Sequence, residues 1–516
     1  MYPTIGKMFE QTVDKYPHRE ALVYSAKGQR WTYQQWDEEV NKLANALLQE
    51  GIGKGDVVSV FLFNTSEFVT TLFAVAKIGA IFNPINYRLA AGELAFILND
   101  CNSKLLVFEE ATAEKVAVAR KELPGIKKYL YVDQHAPEFA QHFYEFSNSG
   151  STKRLEAQVE ETDWYIIMYT SGTTGKPKGV IHRHRDMLDH NMVMIADQKL
   201  TYEDRGLAAA PLNHAAELHC FFLPRVHAGG CNVLLRQFEP KQVLQALSEE
   251  KISVMFGAPT MWNMLLQEDH GSYDLGALRL CGYGGAAMAP AMVKECHAAF
   301  GADLLQYYGM TELGPAVTVL YPEQQLERAG SAGKALINHE VRVVRVREDG
   351  PSEPDDLVEP GEVGEVIIRG PAMMVGYFNR PDITERALYK GWYHSGDLAR
   401  IDEDGFIWIT DRADDMIISG AENVYPREVE DVLYEHPQVV QVAVTGIPDE
   451  KWGKVVVAFV VPKDERLTAE ELDRFLLEGN KLAPFKRPRK YVFAAELPKT
   501  ASGKIQKFRL HELLKD

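Results

Sequence analysis

Between Met168 and Val180 the chain reads Met-Tyr-Thr-Ser-Gly-Thr-Thr-Gly-Lys-Pro-Lys-Gly-Val. This short run holds the hydroxyls of Thr170, Ser171, Thr173 and Thr174, the glycines Gly172, Gly175 and Gly179, and the lysines Lys176 and Lys178. Glycines admit positive φ and let backbone N–H groups approach an anion. Hydroxyls and ammonium groups complete a cradle for phosphate oxygens, so chemistry on ATP is the first expectation. The spacing is not that of a Walker loop, which needs four residues between its glycines and Ser or Thr after its lysine. Here two residues separate Gly172 from Gly175, and Pro177 follows Lys176. Taken alone, such a loop reads equally well as a polar surface turn.

Four further clusters could act with it. In Gln306-Tyr-Tyr-Gly-Met-Thr-Glu312 an aromatic ring beside a glycine can stack on a base, Thr311 can bond a phosphate oxygen, and Glu312 can hold Mg²⁺ between phosphates. Gly282-Tyr-Gly-Gly-Ala-Ala287 fits G-x-G-x-x-A, but no acidic residue follows at the distance a dinucleotide fold requires, which argues against NAD. In Tyr393-His-Ser-Gly-Asp-Leu398 a carboxylate at a tight turn can accept both ribose hydroxyls, although a lone Gly-Asp reads as a plain Asx turn. Near the C-terminus, Pro498-Lys-Thr-Ala-Ser-Gly-Lys-Ile-Gln-Lys507 places Lys504 just past a glycine.

Together these strings resemble the adenylate-forming superfamily of acyl-CoA synthetases, adenylation domains and luciferases. The likeness covers almost the whole chain in the right order, from Lys77-Ile-Gly-Ala-Ile-Phe-Asn-Pro84 to Lys504. It implies that Thr170, Ser171, Gly172, Thr173, Thr174, Gly175 and Lys178 hold the phosphates of ATP. Gly284, Gly285 and Ala286 would line the adenine and acyl pockets. Tyr308 would stack on adenine, Gln306 would bond near its amino group, and Tyr307 and Gly309 would complete that site. Thr311 would touch the α-phosphate and Glu312 would serve Mg²⁺. Asp397 would bind the ribose, supported by Arg412.

The resemblance makes Lys504 the catalytic lysine. A carboxylate attacking an α-phosphate meets another anion, and an ammonium bridging both relieves that repulsion by several kcal/mol in a water-poor site. In Asp411-Arg-Ala-Asp-Asp-Met-Ile-Ile-Ser-Gly-Ala-Glu-Asn423 the resemblance makes Asp414 a hinge. Ser419, Gly420 and Ala421 would flank a pantetheine tunnel, where Ala421 adds a methyl to a position many relatives fill with glycine. Trp452, Phe485 and Arg487 match residues that bind coenzyme A in some relatives; a packed Trp and a basic surface turn are the plainer reading. The acyl pocket would come from Pro211–His219, Phe256–Asn263 and Gly314–Thr318. There His214 matches a gate between the acid and thiol channels, with a core histidine as the modest alternative. Glu217 and His219 would either recognise a polar substituent or face water.

The expected activity is that of an ATP-dependent carboxylic acid–CoA ligase using ATP, Mg²⁺ and coenzyme A. It would form an acyl-AMP and then an acyl-CoA thioester, releasing pyrophosphate and AMP. The acid would be a medium- or long-chain fatty acid or an aromatic acid. Transfer to a carrier protein, or a luciferase-like oxygenation, keeps adenylation and changes the acceptor. Amino-acid adenylation fits less well, because Leu212–Leu218 holds no Asp for a substrate amine. A catalytically dead nucleotide-binding protein is disfavoured by the joint presence of Lys504, Glu312 and Asp397.

These groups need a large framework to bring them together. At 516 residues the chain should hold several core units, at about 150 residues each. A hydrophobic share of 46% and a charged share of 25% are those of an ordinary globular protein. A net charge of −17 argues against a nucleic-acid partner. No secretory signal or membrane span is expected, since Asn64, Ser66, Glu67 and Lys77 interrupt the apolar stretch from Val57 to Ile85. Five scattered cysteines without metal-ligand spacing suggest reduced thiols and a cytoplasmic location. A homodimer is left open.

Val57–Phe63 and Ile81–Pro84 predict strands around a helix over Glu67–Lys77, and Tyr165–Met168 predicts a buried strand. This alternation continues to about residue 320 and predicts α/β layers with parallel sheets. Short β-like runs at 340–346, 364–370 and 406–410 predict a small β-barrel-like unit. Beyond residue 415 a small, mobile α+β domain is expected, with helices over 426–436 and 468–480 and strands over 439–444 and 454–461. The expected domains are therefore 1–411, a hinge at 412–415, and 416–516.

Overall fold

The computed structural model describes residues 3–170, 177–286, 288–347, 350–412, 417–419, 422–449, 453–464, 466–477, 482, 486–499 and 505–514. Among the described residues the strand–helix alternation builds two large sheets. In the first, the parallel strands Glu20–Tyr24, Cys231–Leu234, Arg205–Ala208, Val254–Gly257, Leu280–Gly284 and Asp303–Gly309 lie side by side, and Ala316–Leu320 follows antiparallel. In the second, Gln141–His142, Lys128–Tyr131, Ser103–Phe108, Val57–Phe61, Ile81–Pro84 and Trp164–Thr170 are parallel. Lys178–Arg183 and Gly376–Tyr377 extend it antiparallel. Val57-Val-Ser-Val-Phe61 is buried at every position, as a central strand covered on both faces must be.

One continuous core joins the facing sides of the two sheets through helices Ile5–Lys15, Tyr33–Gln49, Ser66–Lys77, His184–Gln198 and Leu223–Ala228. Trp36 is its largest fully buried ring, with Phe9 edge-on at 5.0 Å and Phe73 at 5.2 Å. Burying such a side chain contributes roughly 2–3 kcal/mol relative to leaving it in water. The helix ends are specified locally. Thr65 caps Ser66–Lys77 by accepting from the Phe68 N–H at 3.2 Å, and Thr32 forms a capping box with Gln35. Helices Pro240–Glu249, Pro259–Leu266 and Pro290–Phe300 cover the outer face of the first sheet. Ala91–Asp100 and Glu110–Ala119 cover that of the second.

Both sheets therefore present the ends of their parallel strands to common ground, where open α/β sheets bind ligands. Thr170, Gly284 and Gly309 each end such a strand. A small antiparallel β unit adjoins them, with Glu340–Val344, Val363–Arg369, Trp392–Ile401 and Leu388–Tyr389 in order and Ile407–Arg412 paired to Trp392–Ile401. The last segment has its own apolar core, formed by strands Val439–Asp449 and Gly453–Pro462 with helices Pro426–Tyr434 and Ala469–Leu477.

The expected helix over Glu67–Lys77 begins one residue earlier, at Ser66, where the Thr65 cap allows it. One element has no counterpart in the sequence reading: Ala216–Phe222 is a π-helix continuing into Leu223–Ala228. All five cysteines are free and buried. Among the described residues no helix is long and apolar enough to cross a membrane.

Candidate active site

Strand alternation decides which residues of Gln306–Glu312 share a face. Tyr308 extends toward the β unit, where its hydroxyl donates to Asp397 Oδ2 at 2.8 Å. The candidate base-stacking ring and the candidate ribose ligand thus meet across 89 residues of sequence. Asp397 sits in Trp392–Ile401 opposite Arg412. Gly396, at φ 67°, makes the turn before it, a conformation that favours glycine. Ser395 Oγ braces this turn by donating to the Val366 carbonyl at 2.6 Å and accepting from the Asp397 N–H at 3.0 Å. Glu365 accepts from the Gly396 N–H at 3.3 Å and lies 3.2 Å from His394 Nδ1. Burial works to raise the Glu365 pKa, and the bonds from His394, Ser352 and the Gly396 N–H, with the His394 charge, together outweigh it, so the carboxyl stays below its usual range.

Glu312 lies in the single turn Thr311–Leu313 and is nearly buried. Its Oε1 accepts from the Tyr377 hydroxyl at 2.9 Å, and Tyr393 Oη lies 3.3 Å beyond. Gly376–Tyr377 pairs with Lys178–Arg183, the strand leaving the phosphate-loop segment, and Lys178 Nζ stands 5.3 Å from the Tyr377 ring centre. A nearly buried carboxylate whose bond comes from a neutral hydroxyl suits a hard cation. Among the described residues no three His, Cys, Asp or Glu side chains converge as a metal cage. A magnesium ion would accordingly be held by Glu312 together with nucleotide phosphates, the usual arrangement for that ion. The Thr311 carbonyl accepts from His182 Nε2 at 2.7 Å. Burial lowers the His182 pKa, so the ring is neutral with its proton on that nitrogen.

The glycines at the strand ends serve two purposes, open space at Gly285 and close backbone packing at Gly284 and Gly309. Gly285, at φ 77°, and Ala286 are exposed, and no heavy atom lies within 4 Å of where a Gly285 Cβ would stand. A Cβ at Gly284 would come within 2.5 Å of the Tyr307 carbonyl oxygen, and one at Gly309 within 1.7 Å of the Pro315 carbonyl oxygen. At Gly284 and Gly309 the missing side chain lets backbone pack against backbone, while Gly285 leaves open space at the strand end.

Three expected residues stand differently. Tyr307 turns away from Tyr308, is almost fully buried, and donates its hydroxyl to Asp197. The period-two alternation of a strand requires this, and it takes the side chain off the face that Tyr308 occupies. Glu217 does not face water: it is fully buried, with Oε1 3.3 Å from Arg225 Nη2. Burial pushes its pKa up to about 7 against the pull of Arg225. His219 is likewise fully buried, so its solvent-facing alternative also falls. His214 has its Nε2 covered, and burial together with the Arg88 charge holds its pKa down to about 4, so it is a neutral ring.

Of the remaining candidates, Gln306 is buried, with its Oε1 3.4 Å from the Tyr283 hydroxyl. Arg487 bonds Asp473 beside the Lys486–Glu428 ion pair at 2.5 Å. Ser171, Gly172, Thr173, Thr174, Gly175, Asp414, Gly420, Ala421, Trp452, Phe485 and Lys504 lie outside the described residues, and Arg412 and Ser419 are described in backbone only. Lys499 and Ile505 pair antiparallel on either side of the Lys504 segment. Tyr377 is the residue the motif reading missed; nothing in its local spacing marks it.

The chain matches the AMP-binding enzyme family model over residues 9–378 and the AMP-binding enzyme C-terminal domain over residues 428–504. It is 38% identical to a feruloyl-CoA synthase of Amycolatopsis sp over 494 residues, covering 95% of each chain. A long-chain-fatty-acid–CoA ligase of Mycobacterium tuberculosis is 34% identical over 512 residues, covering 98% of each. The crystal structure of an anthranilate CoA ligase in complex with anthranoyl-AMP superposes with a TM-score of 0.91 at 28% identity, over 99% of this chain and 97% of that one. The protein belongs to the AMP-binding enzymes, the adenylate-forming family.

Proposed function

We propose that the protein is an ATP-dependent carboxylic acid–CoA ligase that works through an acyl adenylate. The observation that carries this reading is the meeting of Tyr308 with Asp397 on the strand whose next turn supplies Thr311 and Glu312. That arrangement offers a base platform, a phosphate hydroxyl and a carboxylate for Mg²⁺ within a few residues of chain, and a ribose acceptor bonded to the platform from a strand 89 residues on. The residues at Thr170–Gly175 and Lys178 would close over the phosphates.

In the first step a carboxylate oxygen attacks the α-phosphorus of ATP. The bond to the bridging oxygen breaks and pyrophosphate leaves with the electron pair. Lys504 would neutralise charge on the two approaching anions. Magnesium, when bound at Glu312, would neutralise charge on the phosphates. In the second step the sulfur of coenzyme A attacks the acyl carbonyl carbon, the carbon–oxygen bond to phosphate breaks, and AMP leaves. AMP is a good leaving group, so orientation and charge stabilisation suffice. Residues 1–411 would form the nucleotide and acid domain, 412–415 the hinge with Asp414 as pivot, and 416–516 the domain that carries Lys504 in and out. His214 would stand at the junction of the acid and thiol channels. Ser419, Gly420 and Ala421 would flank the pantetheine, and Trp452, Phe485 and Arg487 would hold the coenzyme A nucleotide. Buried, unpaired cysteines fit a reducing cytoplasm.

Incubation with ATP, Mg²⁺ and a panel of carboxylic acids, with and without coenzyme A, tests this. Thioester and AMP release only with coenzyme A is the expected result. Hydroxamate formation without any thioester would move the acceptor elsewhere. Lys504→Ala should lose about 100-fold or more in acyl-AMP formation while keeping thioester formation from supplied acyl-AMP. Equal loss in both half-reactions would contradict the role given to Lys504.

A further inference from the structure

His182 is a fully buried polar side chain that the proposed chemistry does not use. It stands in strand Lys178–Arg183, which leaves the phosphate-loop segment. Period-two alternation puts Lys178, Val180 and His182 on one face of that strand. Lys178, at the open end, lies by the Tyr377 ring. Val180 packs in the same apolar cluster as Leu313. His182, at the deep end, donates its Nε2–H to the Thr311 carbonyl at 2.7 Å. A carbonyl oxygen accepts and never donates, so the ring proton sits on Nε2. The other nitrogen, Nδ1, finds no hydrogen-bond partner among the described residues.

A third segment completes a junction. The Met374 N–H donates to the Glu312 carbonyl at 2.8 Å, the Val375 N–H to the Ile181 carbonyl at 2.9 Å, and the Phe378 N–H to the Gly179 carbonyl at 2.7 Å. The Tyr377 hydroxyl reaches Glu312 from the same segment at 2.9 Å. Residues 374–378 thus hold the turn Thr311–Leu313 and the strand Lys178–Arg183 through an intermediary, whereas the His182 bond joins the two directly. Without that bond the Thr311 carbonyl keeps the Gly314 N–H at 3.3 Å, a contact inside its own turn that ties it to nothing else. The turn is then free to tilt about the Met374 bond, and Thr311 and Glu312 lose their set spacing from Lys178.

We propose that His182 is a positioning residue for the adenylation step. Its Nε2–H pins the Thr311–Leu313 turn to the phosphate-loop strand, so that the Thr311 hydroxyl, the Glu312 carboxylate and the Lys178 ammonium meet the phosphates of ATP in one fixed arrangement. This rests on the ligase reading above. His182 touches no substrate and acts through Thr311. Misplacing reacting groups by about 1 Å costs up to about 100-fold in rate, so a bond that sets their spacing has leverage well beyond its own strength.

Acid-dependent ATP–pyrophosphate exchange reads this step, with benzoate, ferulate, octanoate and palmitate as the acids. His182→Leu, which fills the space without a donor, should lower kcat/KM for ATP by about tenfold or more, with KM for the acid within about twofold of wild type. His182→Gln, whose amide N–H reaches about as far as Nε2, should stay within about threefold of wild type. His182→Asn carries the same amide on a shorter stem that stops short of Thr311, and should lose as much as His182→Leu. Should His182→Leu fail to fold, His182→Gln against His182→Asn still decides. The proposal is overturned if those two amide variants behave alike, if His182→Leu leaves kcat/KM for ATP unchanged, or if KM for the acid shifts as far as KM for ATP. Absence of exchange with every acid in the wild type would instead overturn the ligase reading itself.

Discussion

The hydroxyl of Tyr377 ties Glu312 to the strand that leaves the phosphate-loop segment, so the carboxylate and Lys178 are held in one frame. Tyr377→Phe removes that bond and keeps the ring. A hydrogen bond to a charged group contributes about 1.5–3 kcal/mol, so the Mg²⁺ concentration needed for half-maximal adenylation should rise by about tenfold or more. Thermal stabilisation by ATP with Mg²⁺ should weaken in parallel, while thioester formation from supplied acyl-AMP should change by less than about twofold. An equal change in both half-reactions would mark Tyr377 as general packing. At this scale the sequence offered candidates wherever they lay inside one short string: Tyr308, Thr311, Glu312 and Asp397 stand in motifs, and the structure brings Tyr308 to Asp397. Tyr377 was not, because it reaches Glu312 across 65 residues. Tyr307 shows the converse. It was grouped with Tyr308 by adjacency, although neighbours in a strand point opposite ways. Glu217 and His219 carry polar names in apolar surroundings, and only the packing of Arg225, Tyr165 and their helix reveals that neither meets water.

Among the elements, strand Asp303–Gly309 depends on the smallness of its last residue. Gly309→Ala would place a methyl 1.7 Å from the Pro315 carbonyl oxygen, which is backbone and cannot rotate away. Overpacking of this kind costs about 1–3 kcal/mol, and contact with rigid backbone puts this case at the upper end. The urea midpoint should drop with an unaltered m-value; an unmoved midpoint would show that the turn after Gly309 gives way freely. Strands and helices here were legible because their periods are strong: Val57–Phe61, Ile81–Pro84 and Trp164–Thr170 fall where apolar runs placed them. Ala216–Phe222 was not, since widening a turn from α to π leaves no mark in composition. Its effect is to carry Phe221 into the gap left by Gly282.

For the whole molecule, the telling feature is how many titratable rings are buried in their neutral form. Burial holds His184, His214 and His227 each at about 4, against an ordinary value of 6.5. Between those two values the unfolded chain binds protons that the folded chain refuses, so stability rises with pH across this window and is lost as pH falls from 6.5 toward 4. Glu217, raised from 4.5 to about 7, works in the opposite sense between 4.5 and 7, as do the raised carboxyls of Glu109, Asp197 and Asp431. His182, His190, His219 and His339, also lowered by burial, add to the histidine side and outnumber them. Unfolding free energy from urea titrations should therefore fall by about 2 kcal/mol or more between pH 6.5 and 5, and His227→Gln should flatten the slope. A flat profile would place these rings in contact with water. The sulfur atoms share this seclusion. Cys101, Cys220, Cys231, Cys281 and Cys296 are all enclosed, and burial lifts each thiol well above its ordinary range. A catalyst that must handle a free mercaptan at every turnover thus offers no competing thiol of its own, and mixed disulfides with its cosubstrate find nowhere on these five residues to form.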